Sequence, residues 1–294
     1  MVRKAVIPAA GFGTRFLPLT KAQPKEMLPI VDTPTIQYVV EEAVASGITD
    51  ILMVIGKSKR AIEEHFDRNF DLERELKEKA KDNLLNQVRK ISNMADIHFV
   101  WQKELHGLGD AVRYARNHIG NEPFALLLGD TVLESYSDVP VTRQLINVFD
   151  RLQGSVVALE QVPSSKVSQY GIVDGTEITP DVYQINDLIE KPTIEESPSN
   201  MAFAGRYIFQ PDIFDYLAQV EFGKNGEIQL TDAMLTLAEA RPIFGYRFNG
   251  KRHDLGNKLD FIKTNIHYAL KSPEMHDHLI EYMNHLLNSN GTSK

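Results

Sequence analysis

No cysteine occurs among the 294 residues, so disulfides, thiolate nucleophiles and thiolate zinc sites are excluded. Positive charge is also short: 32 Lys and Arg stand against 40 Asp and Glu, a formal net charge of −8. A polynucleotide partner needs a basic footprint, so no nucleic acid is expected as a ligand. A small anion stays compatible, because a few local cations outweigh a distant negative surface. No apolar run approaches the ~20 residues that span a bilayer, and the apolar stretch near Met1 is too short for a signal-peptide core. The expectation is a cytoplasmic protein without membrane association. Repeats and low-complexity linkers are lacking too, which predicts one continuous domain over 1–294 with a helical extension from about 257. The nine histidines show no metalloprotease spacing and read as surface residues.

What is present is an alternation of two periods. Ala5–Ala9, Asp50–Gly56, Ile97–Trp101 and Phe124–Leu128 are short apolar runs of the kind found in buried parallel strands. Between the first two, Ile36, Val39, Val40, Ala43 and Val44 recur at helical spacing, with Gly47 where a helix ends. The charged stretch 57–95 predicts two solvated helices, and 107–118 another. This order predicts an α/β fold: a Rossmann-like open mixed sheet, mostly parallel and flanked by helices. Strands predicted at 156–162, 170–173, 182–190, 201–209 and 243–248 make a mixed or antiparallel extension. Helices are predicted at 211–219, 229–239, 257–270 and 276–287, with a frayed tail over 288–294.

The chemistry concentrates where strands end. Ala9-Ala10-Gly11-Phe12-Gly13-Thr14-Arg15 follows the first strand, and Pro24-Lys25-Glu26 lies further along the same loop. Without Cβ atoms the glycines let backbone N–H groups approach phosphate oxygens, to which Arg15 and Lys25 add charge. A dinucleotide-binding turn would need a helix starting straight after the glycines, which Pro18 and Pro24 forbid. Gln102, before Gly107-Leu108-Gly109-Asp110, carries an amide that both donates and accepts and so suits a pyrimidine edge. Asp130 follows a buried strand and a glycine, a position suited to holding Mg²⁺ beside phosphates.

These segments resemble the G-x-G-T-R-x-x-P…P-K signature of the sugar-phosphate nucleotidyltransferases. Ala9-Ala10-Gly11 and Lys25-Glu26-Met27-Leu28-Pro29 look most like the bacterial UTP–glucose-1-phosphate uridylyltransferases. The resemblance covers residues 2 to about 270 and implies a nucleotide-diphospho-sugar transferase fold. It implies that UTP and glucose 1-phosphate give UDP-glucose and pyrophosphate, with Mg²⁺ as cofactor, in a homodimer or homotetramer. By resemblance Ala10, Gly11, Gly13 and Thr14 line the nucleotide, Glu26 and Gln102 read the uracil, and Gly107 lies at the base. The resemblance also implies that Asp254 joins Asp130 on the metal; its other reading is a cap on the helix from Asn257. The resemblance further implies that Gly171 and Glu190 face the sugar and that Lys191 pairs with its phosphate. The family's usual His, second Asp and aromatic are replaced by Asp110, Thr131 and His253. Two alternatives share the fold: a thymidylyltransferase, and a weakly catalytic nucleotide-sugar-binding regulator.

Overall fold

The computed structural model describes residues 1–223 and 226–290. Strand β1 (Lys4–Ala9) leads through the glycine loop to the short pair β2 (Pro29–Ile30) and β3 (Thr33–Pro34), then to α1 (Thr35–Ala45) and β4 (Asp50–Ile55). Helices α2 (Arg60–Phe66), α3 (Phe70–Glu78) and α4 (Asp82–Ser92) precede β5 (Asp96–Trp101). Then come α5 (Leu108–Arg113), α6 (Arg116–Ile119), β6 (Phe124–Leu127), β7 (Thr131–Ser135) and α7 (Val141–Leu152). Strands β8 (Val156–Gln161), β9 (Gly171–Thr179), β10 (Val182–Glu190) and β11 (Met201–Phe209) follow. The chain continues through α8 (Ile213–Gln219), α9 (Leu230–Ala240), β12 (Phe244–Arg247), β13 (Gly250–Asp254), α10 (Lys258–Lys271) and α11 (His276–Asn290).

Among the described residues a nine-stranded sheet runs β5-β4-β1-β6-β11-β8-β12-β10-β9. β1 pairs in parallel with both β4 and β6, and β4 with β5. From β11 onward the sheet is mixed: β11 is antiparallel to β6 and β8, and β12 runs parallel to β8. Ala5, Val6 and Ile7 are completely buried because helices cover both faces of this central strand. On α1 the side chains of Ile36, Val39, Val40 and Ala43 are equally buried. Each of the three larger ones contributes about 1.5–3 kcal/mol of apolar burial. Gly47, at φ 86°, takes the left-handed turn that ends this helix.

Several expectations are refined. The stretch 57–95 holds three helices, not two: the Asn69 side chain accepts from the Leu72 N–H and starts a new one, and Ala80 breaks the next at φ 50°. The helix expected over 107–118 divides into α5 and α6. β7, α7 and β13 are elements beyond those expected. Residues 291–294 of the expected frayed tail lie outside the described residues, whereas 288–290 finish α11. No described helix is long and apolar enough to cross a membrane.

Candidate active site

The parallel order puts the carboxyl ends of β1, β4, β5 and β6 along one edge, and the glycine loop lies there. Gly13 sits in the left-handed region, φ 67° and ψ 35°, before a 3₁₀ turn over Thr14–Phe16. The Thr20 hydroxyl fastens it by donating to the Gly13 carbonyl at 2.8 Å. Ala10 and Phe12 line one cavity with Lys59, Trp101 and Gln102. Arg15 lines another, of about 280 Å³, with Asp130, Tyr170, Glu190, Lys191 and Asp254. Thr14 is exposed beside them.

Asp130 and Asp254 are brought together by a two-stranded ladder outside the main sheet. β13 pairs antiparallel with β7, with Asp254 opposite Thr131. The Leu255 N–H then donates to the Asp130 carbonyl at 3.2 Å. Beneath, Arg206 clamps the turn: it donates to the Thr131 carbonyl at 2.8 Å and to the Gly205 carbonyl at 3.0 Å. Its guanidinium also forms a buried ion pair with Glu42 on α1, at 2.7 Å. Gly205 and Tyr207 line the cavity, whereas Arg206 between them points into the core.

Lys25 meets Asp130 Oδ2 at 2.5 Å. Burial pulls the Lys25 pKa down, but the Asp130 and Glu26 charges outweigh it and hold the ammonium above its usual value. Burial likewise pushes Asp130 up, and Lys25 overcomes this to leave the carboxyl below its ordinary value. Asp254 accepts from the Tyr170 hydroxyl at 2.9 Å on Oδ2 and from the Gly256 N–H at 2.8 Å on Oδ1. Burial, and then Asp254 itself, raise the Tyr170 phenol, so it stays a donor. The Arg252 guanidinium stacks 3.9 Å over the Tyr170 ring and fixes it. Helix α10 is capped by Asn257, whose side chain accepts from the Asp260 N–H at 2.8 Å. Asp254 is therefore not that cap.

At the far side of the cavity, Gly171 and Glu190 are paired across β9 and β10. Lys191 follows in the left-handed region at φ 47°, a strained setting for a non-glycine residue ahead of Pro192. Its N–H donates to the Tyr170 carbonyl at 3.0 Å, and its ammonium lies 3.2 Å from Glu190.

The other candidates cluster behind the loop. Glu26 is 1% exposed and bonds Lys59 at 2.8 Å, while Lys59 also donates to the Gly11 carbonyl at 2.7 Å. Burial disfavours both charges, raising the Glu26 pKa and lowering that of Lys59. Glu26 thus approaches the loop through Lys59, a partner absent from the motif reading. Its only sequence signal is its place just beyond β4. Gln102 follows β5, its N–H donating to the Ile55 carbonyl at 2.9 Å. Its amide nitrogen donates to Asp110 Oδ2 at 2.7 Å and reaches the Gly107 carbonyl at 3.5 Å. Gly107 takes φ 93°, and a Cβ there would stand 2.9 Å from Glu227 Cβ and 3.0 Å from the Ile228 carbonyl. Of residues 223–232, Lys224 and Asn225 lie outside the described residues; Leu230 begins α9.

His253 corrects the expectation of surface histidines. It is buried, 3.2 Å from both Thr264 Oγ1 and Glu134 Oε2, with His267 also on Glu134 at 2.8 Å.

The nucleotidyl transferase family profile matches residues 4–271. A UTP–glucose-1-phosphate uridylyltransferase of Bacillus subtilis (strain 168) is 53% identical over 98% of each chain. One from Staphylococcus haemolyticus is 52% identical over 97% of this chain and 98% of its own. A crystal structure of UDP-glucose pyrophosphorylase complexed with UDP-glucose superposes with a TM-score of 0.86 at 43% identity, over 92% of this chain and all of that one. A UTP-bound UGPase from Acinetobacter baumannii gives 0.88 at 37% identity, over 98% and 99%. Likeness over this much of the sequence and of the sheet leaves one assignment: the chain belongs to the nucleotidyl transferase family.

Proposed function

We propose that this chain transfers the uridylyl group of UTP to glucose 1-phosphate, giving UDP-glucose and pyrophosphate. One observation carries the reading. Asp130 and Asp254 flank a cavity that also presents Arg15, Glu190 and Lys191. The relatives, uridylyltransferases over nearly their full length, support the choice of substrates.

The main chain of Ala10, Gly11, Gly13 and Thr14 cradles the nucleotide, with Arg15 and Lys25 on its phosphates. Gln102, Gly107 and Glu26 (the last through Lys59) form the base end. Gly171 and Glu190 meet the glucose, and Lys191 its phosphate. An oxygen of that phosphate attacks the α-phosphorus. The new P–O bond forms as the bond to pyrophosphate breaks, and the electron pair leaves on pyrophosphate. No protein nucleophile is needed. The obstacle is repulsion: each like-charge pair at 4 Å costs about 4 kcal/mol at an effective dielectric near 20. Arg15, Lys25 and Lys191 offset that cost and fix the in-line geometry.

A divalent ion, Mg²⁺ in our reading, would be held by Asp130 and Asp254. The donor set fits: both are hard carboxylates, and each Asp254 oxygen accepts only one bond among the described residues. The Lys25 ammonium, 2.5 Å from Asp130 Oδ2, shows that this carboxylate already draws cationic charge. When bound, the ion neutralises phosphate charge.

The chain is read as a single domain with a helical C-terminal extension, cytoplasmic, and a homodimer or homotetramer. Exposed Leu259 and Ile262 on α10 and Tyr282 and Leu287 on α11 support assembly. Purified protein with UTP, glucose 1-phosphate and magnesium should release pyrophosphate, and a chelator should stop it. Asp130→Ala should fold and lose at least roughly 100-fold in turnover. A wild-type rate in that variant removes the metal assignment; no pyrophosphate from UTP in the wild type removes the function.

A further inference from the structure

The Gln102 amide is held in one of its two possible orientations, and Asp110 decides which. An ionised aspartate only accepts hydrogen bonds, so the group facing its Oδ2 at 2.7 Å must be the Gln102 NH₂. The amide's second N–H has another acceptor, the Gly107 carbonyl at 3.5 Å. Both donors are turned inward. Among the described residues nothing donates to Gln102 Oε1, and Gln102 lines the cavity beside Ala10 and Trp101. The residue is only 5% exposed, so water does little to level the two orientations. Asp110 has an ordinary alternative role, an acid in the first turn of α5 favoured by the helix dipole. That role does not require its carboxylate to meet Gln102.

We propose that Asp110 is a positioning residue that sets base specificity, by locking Gln102 so that it offers the pyrimidine an acceptor and never a donor. The inference rests on the reading that Gln102 meets the base of a pyrimidine nucleotide. An acceptor matches the N3–H of uracil and opposes the bare N3 of cytosine, so the lock selects UTP over CTP. Thymine carries the same N3–H and is not distinguished by this contact.

The test is kcat/KM for UTP and for CTP in wild type and in Asp110→Asn, which has the same shape but an amide that can donate or accept. In that variant the Gln102 amide can turn over and present NH₂ to cytosine. UTP use should fall, CTP use should rise, and the UTP/CTP ratio should drop roughly 10- to 100-fold. Equal losses with both nucleotides, or an unchanged ratio, would make Asp110 merely structural and overturn the proposal. A wild type that uses no UTP would instead overturn the underlying function, a separable result. Should Asp110→Asn not fold, Asp110→Ser is titrated with UDP and CDP. Binding is read from Trp101, the only tryptophan in the chain and a neighbour of Gln102. The same drop in the UDP/CDP affinity ratio is required.

Discussion

Replacing Glu42 by Ala should destabilise this protein more than any surface change. The Glu42 side chain is 8% exposed and that of Arg206 is 1% exposed. Glu42 Oε2 accepts from Arg206 Nε at 3.0 Å and from a terminal guanidinium nitrogen at 2.7 Å. Its Oε1 accepts from the Thr142 N–H and hydroxyl at 3.1 and 2.7 Å, which ties α1 to the start of α7. Truncation leaves a buried guanidinium held only by main-chain carbonyls, and removing one partner of such a pair costs about 3–5 kcal/mol. That is a large part of the roughly 5–15 kcal/mol by which domains are stable. Urea unfolding with an unchanged m-value measures it directly. Arg206 also pins the Thr131 carbonyl beside Asp130, so turnover should fall even where the variant is fully folded. Pairing Glu42→Leu with Arg206→Met should recover most of the loss, since no charge is then stranded. A loss below about 1 kcal/mol for Glu42→Ala would refute the reasoning.

Two further outcomes are expected. Burial alone would raise the Glu134 pKa, but Lys271, His253 and His267 outweigh it and bring it down to about 2. A depressed carboxyl stabilises the fold above its unfolded pKa, near 4.3, and loses that contribution as pH falls toward 2. Melting curves from pH 6 to 2.5 should therefore show wild type losing about 2–3 kcal/mol that Glu134→Gln never had; parallel curves would count against the network. Gly107→Ala must hold φ 93° with its Cβ 2.9 Å from Glu227 Cβ, a cost of about 1–3 kcal/mol. Its KM for UTP should rise alongside a lowered Tm, and an unchanged variant would show that the turn is not needed.

The parallel half of the sheet was legible because strands buried on both faces are continuous apolar runs, as in Ile51–Ile55. The α7 helix had a signal, Pro140 followed by Val141, Leu145, Ile146 and Phe149 at helical spacing. β13 had none. Gly250-Lys251-Arg252-His253-Asp254 is too polar to announce a strand, and it becomes one by pairing with β7. Motif residues such as Gly13, Arg15 and Lys25 were readable because one loop carries them. The partners that tune them were not. Lys59 beneath Glu26, Tyr170 on Asp254 and Asp110 on Gln102 are matched by tertiary folding, and spacing does not report which side chain another will face.

The small β7–β13 ribbon also sets when the chain acquires its chemistry. The glycine loop after β1 emerges early in synthesis, yet Asp130 gains Asp254 as a neighbour only after the segment ending there has zipped alongside Thr131. A nascent or clipped polypeptide is thus left with one aspartate of the pair. Competence arrives late and all at once.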